Sequence, residues 1–554
     1  MNKLFRTALV LAFLACASSL LIVTASAQSV YGSIFGTVSD KSGAVIPNAL
    51  ITVTDEAKGT AVTVTSNGAG DYSVPHLIPD VYDLKVVAKG FKPFETKGVT
   101  VQADTAPRID PTLDVGSDTG TTVEVNAESV PLLKTEKADV STVFDQQQVS
   151  SLPISDQNFT SLQLLLPGAQ ILGWSHASDE NPQASKQIQV DGQAFGGTAF
   201  ELDGTDNQDP ILGIIVINPA TDAVTETKIT TQNYDAELGK AVSAVVTAQT
   251  RSGTNQFHGS AYDWRTGNAN VARDPYTQAP ESITKAAGLQ NSVPPGLKNR
   301  FGGSIGGPIW RDKAFFFGNY EGQRQKVGVS NTDTVPTAQM VSTCLGLTVG
   351  PQGIPGCDFS DYAAEYAALG KLTGTTQLIY NNTGNAAYDT AFAHNVIPLA
   401  LVSPQAQALL TIMKPYTPNQ ASTGITSIEN NYAASGTGLF NSNAWTERAD
   451  WTINEKMHLF ERFSRFTDIL SGKVMFGEAG GPGFGLGAPP YGGNSNGAND
   501  SLATGMDIAI SPKLLTDFRI GYYRYNIVDT KFDQGVEFAT QLGIPGINLG
   551  DYFT

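Results

Sequence analysis

Asp203, Asp206 and Asp209 fall in one short loop whose spacing could gather oxygens around a calcium ion. No EF-hand pattern accompanies them, so capping and turn formation are the expected roles. Cys344 and Cys357 flank a Gly- and Pro-rich stretch, and the remaining cysteine, Cys16, lies in an N-terminal apolar run. No histidine is close enough to join the pair in a zinc site, so a disulfide is expected; closing so short a loop restricts the unfolded chain by roughly 3 kcal/mol. Gly302-Gly303-Ser304-Ile305-Gly306 matches G-x-S-x-G. A nucleophile elbow, however, needs a strand, a turn and a helix, and this run stays extended to Ile309. Gly480 to Gly487 lacks the G-K-[ST] of a phosphate loop and reads as a mobile loop. His76, His176, His258, His394 and His458 show no metal-ligand spacing. The chain is expected to have no catalytic residue, no metal and no cofactor.

The elements that must position these residues are strands. Arg300 to Gln325 reads as two aromatic strands joined by a charged turn at Arg311-Asp312-Lys313. In Ala314 to Gln323, Ala314, Phe316, Gly318, Tyr320 and Gly322 share one face, while Phe315, Phe317, Asn319, Glu321 and Gln323 share the other. One face is apolar to its end and the other turns polar, as a strand between lipid and a wet lumen requires; a hairpin of a soluble β-sandwich is the alternative. The same two-residue period runs through Ser260 to Arg265, through Asn443 to Ile453 and Lys456 to Thr467 about Asn454-Glu455, and through Ser501 to Ile510 before Leu514 to Asn526. Lys3 and Arg6, the apolar Ala8 to Val23 and Ala25-Ser26-Ala27 form a signal peptide over residues 1–27, so the mature chain is expected to begin near Gln28. No later run reaches the ~20 apolar residues of a transmembrane helix, so any membrane entry must use strands. With 56 Gly, 29 Pro, 26 Phe and 18 Tyr in 554 residues and only 16% charged, the balance suits an exported β-protein of several domains. A net charge of −17 argues against nucleic acid as a partner.

Between Ser33 and Leu113 short alternating strands are expected at Ile34 to Val38, Leu50 to Thr54, Ala61 to Thr65, Asp71 to Val74, Tyr82 to Ala88 and Val99 to Val101, with turns at Lys41-Ser42-Gly43, Asn67 to Gly70 and Lys89-Gly90. This is a small β-sandwich. Gly36, Val38, Asp40, Gly43, Ile46, Pro47, Ala49 and Ile51, followed by Gly70-x-Tyr72 and by Tyr82, Leu84, Val86, Ala88, Gly90 and Phe91, carry a pattern that resembles the carboxypeptidase regulatory-like domain. The resemblance implies a prealbumin-like or carbohydrate-binding-like sandwich over residues 28–115 without peptidase chemistry, with a spacer or docking role expected ahead of sugar binding. Asp80 stands where that family has the glycine of a P-G turn, so a left-handed Asp is expected there.

A polar linker, residues 116–122, precedes a change of composition. In residues 123–250, Asp145 to Ser151 and Asn158 to Leu166 look helical, while Lys186 to Val190, Ala199 to Leu202, Val224 to Thr230 and Val242 to Thr250 look extended. The phrases VEVNAESVPLLKTEKAD, SLPISDQNFTSLQLLLPGAQ, FELDGTDNQDP, TETKITTQNYDAELGKAVSAVVTAQTRSGTNQFHGS and RFGGSIGGPIWRDKAFFFGNYEG resemble, in this order, the plug and early barrel of Oar-like TonB-dependent outer-membrane receptors. Asp156-Gln157 departs from the Gly-Arg those receptors often carry, which puts that arginine's ion pair in doubt. The resemblance implies a mainly β architecture: the sandwich, an α/β plug over residues 123–250, and part of an antiparallel transmembrane β-barrel over residues 251–554. A family barrel of about 22 strands needs more chain than remains, so this sequence is expected to be partial.

By the same resemblance the protein is a receptor or transporter in the outer membrane, with outer-membrane lipid around the barrel, the sandwich in the periplasm, a TonB-type inner-membrane energy transducer as partner and an unidentified substrate. Val123, Glu124, Val125, Asn126 and Ala127, strand-prone behind a flexible linker, are the expected energy-coupling segment, gripped through the main chain; a plain plug strand is the alternative. An adhesive surface protein using long loops such as Lys326 to Phe440 is the competing functional reading, and a soluble carbohydrate-binding β-protein the third.

Overall fold

The computed structural model describes residues 31–546, apart from residues 104, 117–122, 127–137, 153, 155–157, 172–186, 212, 235, 268–295, 371–378, 382–389, 421–427, 487–491, 512–513 and 545. The chain is mainly β. Its first layer is a sandwich. One sheet takes the order Ala61–Thr65, Leu50–Asp55, Asp80–Val87, Phe94–Val101, Val123–Asn126, and Gly32–Thr37 pairs with Asp71–Leu77 across from it. The two-residue period turns Ile51, Val53, Leu84, Val86, Val99 and Val101 inward onto Ile34, Val74 and Leu77. Asp80 is not left-handed. It opens a strand, its carboxylate accepts from the Val81 amide at 2.9 Å, and it holds Lys58 at 2.5 Å. The left-handed residue of this corner is His76, at φ 60°.

The central body is a five-stranded mixed sheet in the order Val140–Asp145, Val224–Gln232, Val245–Thr250, Ala199–Leu202, Thr205–Asp206. Gln146–Ser151 is the expected helix, started by a capping box in which Asp145 and Gln148 satisfy each other's amides. The second expected helix is a tighter 3-10 helix, Phe159–Leu165, capped by Asn158; Pro167 opposes the helical conformation at Leu166.

The largest element is an eight-stranded antiparallel sheet. Its strands are His258–Gly267, Leu297–Trp310, Ala314–Asp333, Tyr432–Asn454, Met457–Gly472, Gly493–Ser511 and Leu514–Arg524, and the last, Ile527–Lys531, pairs with the start of Gly493–Ser511. Leu514–Arg524 and Ile527–Lys531 form one lane, interrupted where the Asn526 amide turns to the Asn499 side chain at 3.0 Å. The faces divide as the period predicts. Asn319, Glu321, Gln323, Thr446, Arg448, Asp450, Arg462, Ser464 and Ser501 are buried on the inner face. Trp445, Ile469, Leu502, Phe518 and Ile520 stand exposed on the outer one, and Trp310 and Trp451 flank the Arg311-Asp312-Lys313 turn, where aromatics gather at a membrane interface. The long loop is shorter than expected because its flanking strands run on to Asp333 and from Tyr432. The Gly480 stretch is folded rather than loose: Phe484 is buried with Val335, Met475 and Phe476, and the Met475 amide donates to Pro482 at 2.9 Å.

The central body seats on the inner face of this sheet. Phe144, Leu162, Phe200, Leu202, Ile215, Ile229 and Val246 form one core with Phe440, Phe466 and Leu470 of the sheet. Burying a side chain of this size contributes roughly 1.5–3 kcal/mol.

Candidate functional site

Asp203 and Gly204 are the central pair of the hairpin turn between Ala199–Leu202 and Thr205–Asp206, with φ values of 52° and 71°. Asp-Gly favours this type I′ geometry, which aims the Asp203 carboxylate at the sheet. There it accepts from the Thr250 amide at 2.8 Å and hydroxyl at 2.9 Å, and pairs with Arg448 Nη1 at 2.9 Å and Arg462 Nε at 3.0 Å. Arg519 Nη1 donates to the Asp203 carbonyl at 2.7 Å. Arg448 and Arg462 are direct cross-strand partners on the inner face. Two like charges so placed repel unless an anion lies between them, and Asp203 supplies it. Side-chain exposures of 1% for Asp203 and 0% for Arg462 keep water from screening the contact. Asp450 holds the far side of the Arg448 guanidinium at 2.9 Å.

From Asp450 the polar contacts continue to the sandwich. His458 lies 3.6 Å from Asp450 and 3.3 Å from Asp507, and the Tyr31 hydroxyl donates to Asp507 while its ring stacks on His76 at 5.2 Å. Burial first, then Asp507, pushes the Tyr31 hydroxyl well above the ordinary tyrosine range, so it stays a donor. At a second junction Asn255 links the Ala57 carbonyl, by its amide at 3.0 Å, to Asp312 of the turn, by its side chain at 2.7 Å. Beside it sits Lys58: burial opposes its charge, but Asp55 and Asp80 outweigh burial and hold its pKa above the ordinary lysine value. At a third junction the Ala103 amide donates to Glu226 of the central body at 2.8 Å. Burial raises the Glu226 carboxyl to about 7, against the opposing effects of that amide and Lys228.

The residues singled out from the sequence are dispersed. Val123–Asn126 forms the outermost strand of the sandwich sheet, parallel to Phe94–Val101, with Phe94 opposite Val123 and Lys97 opposite Asn126; Ala127 and the Asp156-Gln157 pair lie outside the described residues. Cys344 and Cys357 are bonded to each other in the loop beyond Asp333, beside Val341 and Leu410. The three loop aspartates diverge: Asp203 enters the arginine clamp, Asp206 pairs with Lys240 at 2.5 Å, and Asp209 accepts from the Ile211 amide at 3.1 Å. Ser304 sits inside an unbroken strand, its hydroxyl 3.0 Å from that of Ser260. The sequence reading missed Arg448 and Arg462. Their signal was two arginines on the polar faces of adjacent strands joined by a tight turn, which register brings side by side.

A sheet that is apolar outside and polar inside, with a folded body on the polar face, defines an outer-membrane β-barrel protein. Residues 249–554 match the family described as Outer membrane beta barrel domain, and residues 33–114 match Carboxypeptidase regulatory-like domain; the chain belongs to the outer-membrane β-barrel family, with that regulatory-like domain at its N-terminal side. It is similar to the TonB-dependent transporter Oar of Myxococcus xanthus, 27% identical over 316 residues, which cover 54% of this chain and 28% of that protein. Among solved structures it is similar to the outer-membrane transporter YddB from Escherichia coli (11% identity, 70% of this chain and 39% of that one, TM-score 0.37). The ferric enterobactin receptor PfeA from Pseudomonas aeruginosa is also similar (10% identity, 70% and 41%, TM-score 0.37).

Proposed function

We propose that the full-length protein is a TonB-dependent outer-membrane transporter. In this reading residues 123–250 form the plug, residues 28–115 are a periplasmic sandwich, and an inner-membrane energy transducer pulls on Val123 to Ala127 to admit a substrate from outside. The observation that carries it is the Asp203 clamp. A body held to a barrel wall by a buried carboxylate between two arginines is seated all but a small fraction of the time, because separating such a pair costs roughly 3–5 kcal/mol. With the body anchored there, a path for substrate has to come from remodelling the part of the body away from the clamp, and an energised partner supplies that work. A signal peptide ending near Ala27 and an oxidising exterior for Cys344 and Cys357 fit the same placement.

The test is Val125→Pro in the full-length protein, which removes one amide donor and restricts the backbone. Surface binding of substrate is expected to persist while energised uptake falls. Uptake at the unaltered rate, with the variant at normal abundance, would remove this segment from the mechanism.

A further inference from the structure

We propose that the sandwich is a docking platform that holds the Val123–Asn126 strand extended at the rim of its sheet, so that the energy transducer adds beside it as a further strand. The proposal rests on the coupling role given to this strand above. The strand follows Phe94–Val101 in parallel register over Phe94↔Val123, Glu95↔Glu124, Thr96↔Val125 and Lys97↔Asn126. It ends the sheet order, and among the described residues no strand pairs with its outer edge.

The amides and carbonyls of an extended strand alternate between its two sides, so pairing on one side leaves the other side's groups free for a second partner. Addition to that outer edge breaks no existing pairing. Displacement would first have to strip the four-residue ladder. A strand already fixed in the extended state also spares its partner the ordering cost of about 1–2 kcal/mol per residue that a flexible peptide imposes.

Charge narrows the occupant. Asp110 is paired with Arg108 and Asp114 with Lys41, but Asp118, Glu124 and Glu128 follow in the sequence with no cation before Lys134. The strand that fits this edge belongs to a periplasmic protein domain with a free sheet edge flanked by Lys or Arg, and its binding weakens with salt.

The experiment uses the full-length receptor carrying E95C/E124C, whose backbones are adjacent in register at a strand spacing a disulfide can span. The probe is the purified periplasmic C-terminal domain of the TonB-type protein from the same cell. On mild oxidation the pair is expected to crosslink, mapped by mass spectrometry, and the locked receptor is expected to bind the probe within about twofold of the reduced receptor. Failure to crosslink would overturn the proposal, since the strand would then not be docked. Loss of binding on locking, recovered with reductant, would also overturn it, since the transducer would then have to peel the strand away. Val125→Pro in the reduced, unlocked receptor separates the two ideas: unaltered probe binding there refutes the coupling role itself, whatever the locked receptor does.

Discussion

Replacing Asp203 with Ala takes away the carboxylate that pairs with both Arg448 and Arg462. The two ion pairs, at 2.9 and 3.0 Å, are each worth about 5 kcal/mol of attraction at an effective dielectric near 20, most of it offset by the cost of drying the ions. Arg448 keeps Asp450 at 2.9 Å. Among the described residues Arg462 keeps only its donation to the Ser501 hydroxyl at 3.1 Å, so it is the stranded ion. The expected loss is about 3–5 kcal/mol of central-body seating. Hydrogen exchange of Ala199–Leu202 and Val245–Thr250 in the detergent-purified protein reads it directly: these amides should exchange roughly a hundredfold faster or more, at about 1.4 kcal/mol per tenfold. Adding Arg462→Leu should recover much of that protection, because removing both members of a buried pair costs far less than removing one. Unchanged exchange in Asp203→Ala, or no recovery in the double variant, would refute the clamp.

Two further outcomes are expected. Glu226→Gln should steady the contact between sandwich and central body above neutral pH. The native carboxyl, raised from 4.5 to about 7 by burial, keeps a proton that the unfolded chain has lost between those values, so native stability falls by up to roughly 3 kcal/mol as pH rises through that window and levels off above it. The amide still accepts from Ala103, so urea midpoints followed from pH 5 to 8 should flatten in the variant. C344S/C357S should loosen the loop around Val341 and Leu410 by roughly 3 kcal/mol. Proteolysis within residues 334–431 would then speed up while exchange in the central body stays unchanged.

How much of this was legible in the sequence depends on the range of the interaction. The two faces of Ala314 to Gln323 were readable because a strand's period is local, and so was the Gln146–Ser151 helix, whose Asp145 and Gln148 cap each other. The neighbour of Val123–Asn126 was not readable. A strand's alternation says nothing of which sheet it joins, and the pairing with Phe94–Val101 spans the linker between them. Asp80 misled because its turn was inferred from a family glycine, whereas its carboxylate is committed to Lys58. The arginine clamp lay between these cases: each arginine's face was legible, but the Asp203 that joins them is supplied by a separate body. Phe484, which draws the Gly480 stretch into a core with Val335, is likewise visible only once the two loops meet.

The sheet order of the central body makes a final prediction about how a pull would act. Tension entering from Val123–Asn126 reaches Val140–Asp145 first, and that strand is at one edge of the sheet, while the Asp203 hairpin is at the other. The edge strand is held by its ladder to Val224–Gln232 and by Lys228 with Asp139 at 2.9 Å; the far edge is held by the buried clamp. Load applied at the edge strand acts on it before it can reach the clamp and leaves Asp203 between its arginines, so on the proposed transport reading admission of substrate is expected to remodel part of the body rather than expel it. Paired cysteines at register partners test this in the full-length protein. S141C/T230C locks the loaded edge, E201C/T247C locks the clamp side, and the first should stop energised uptake on oxidation while the second leaves it intact. If the E201C/T247C lock stops uptake as completely, the clamp side must rearrange too, and partial remodelling is wrong.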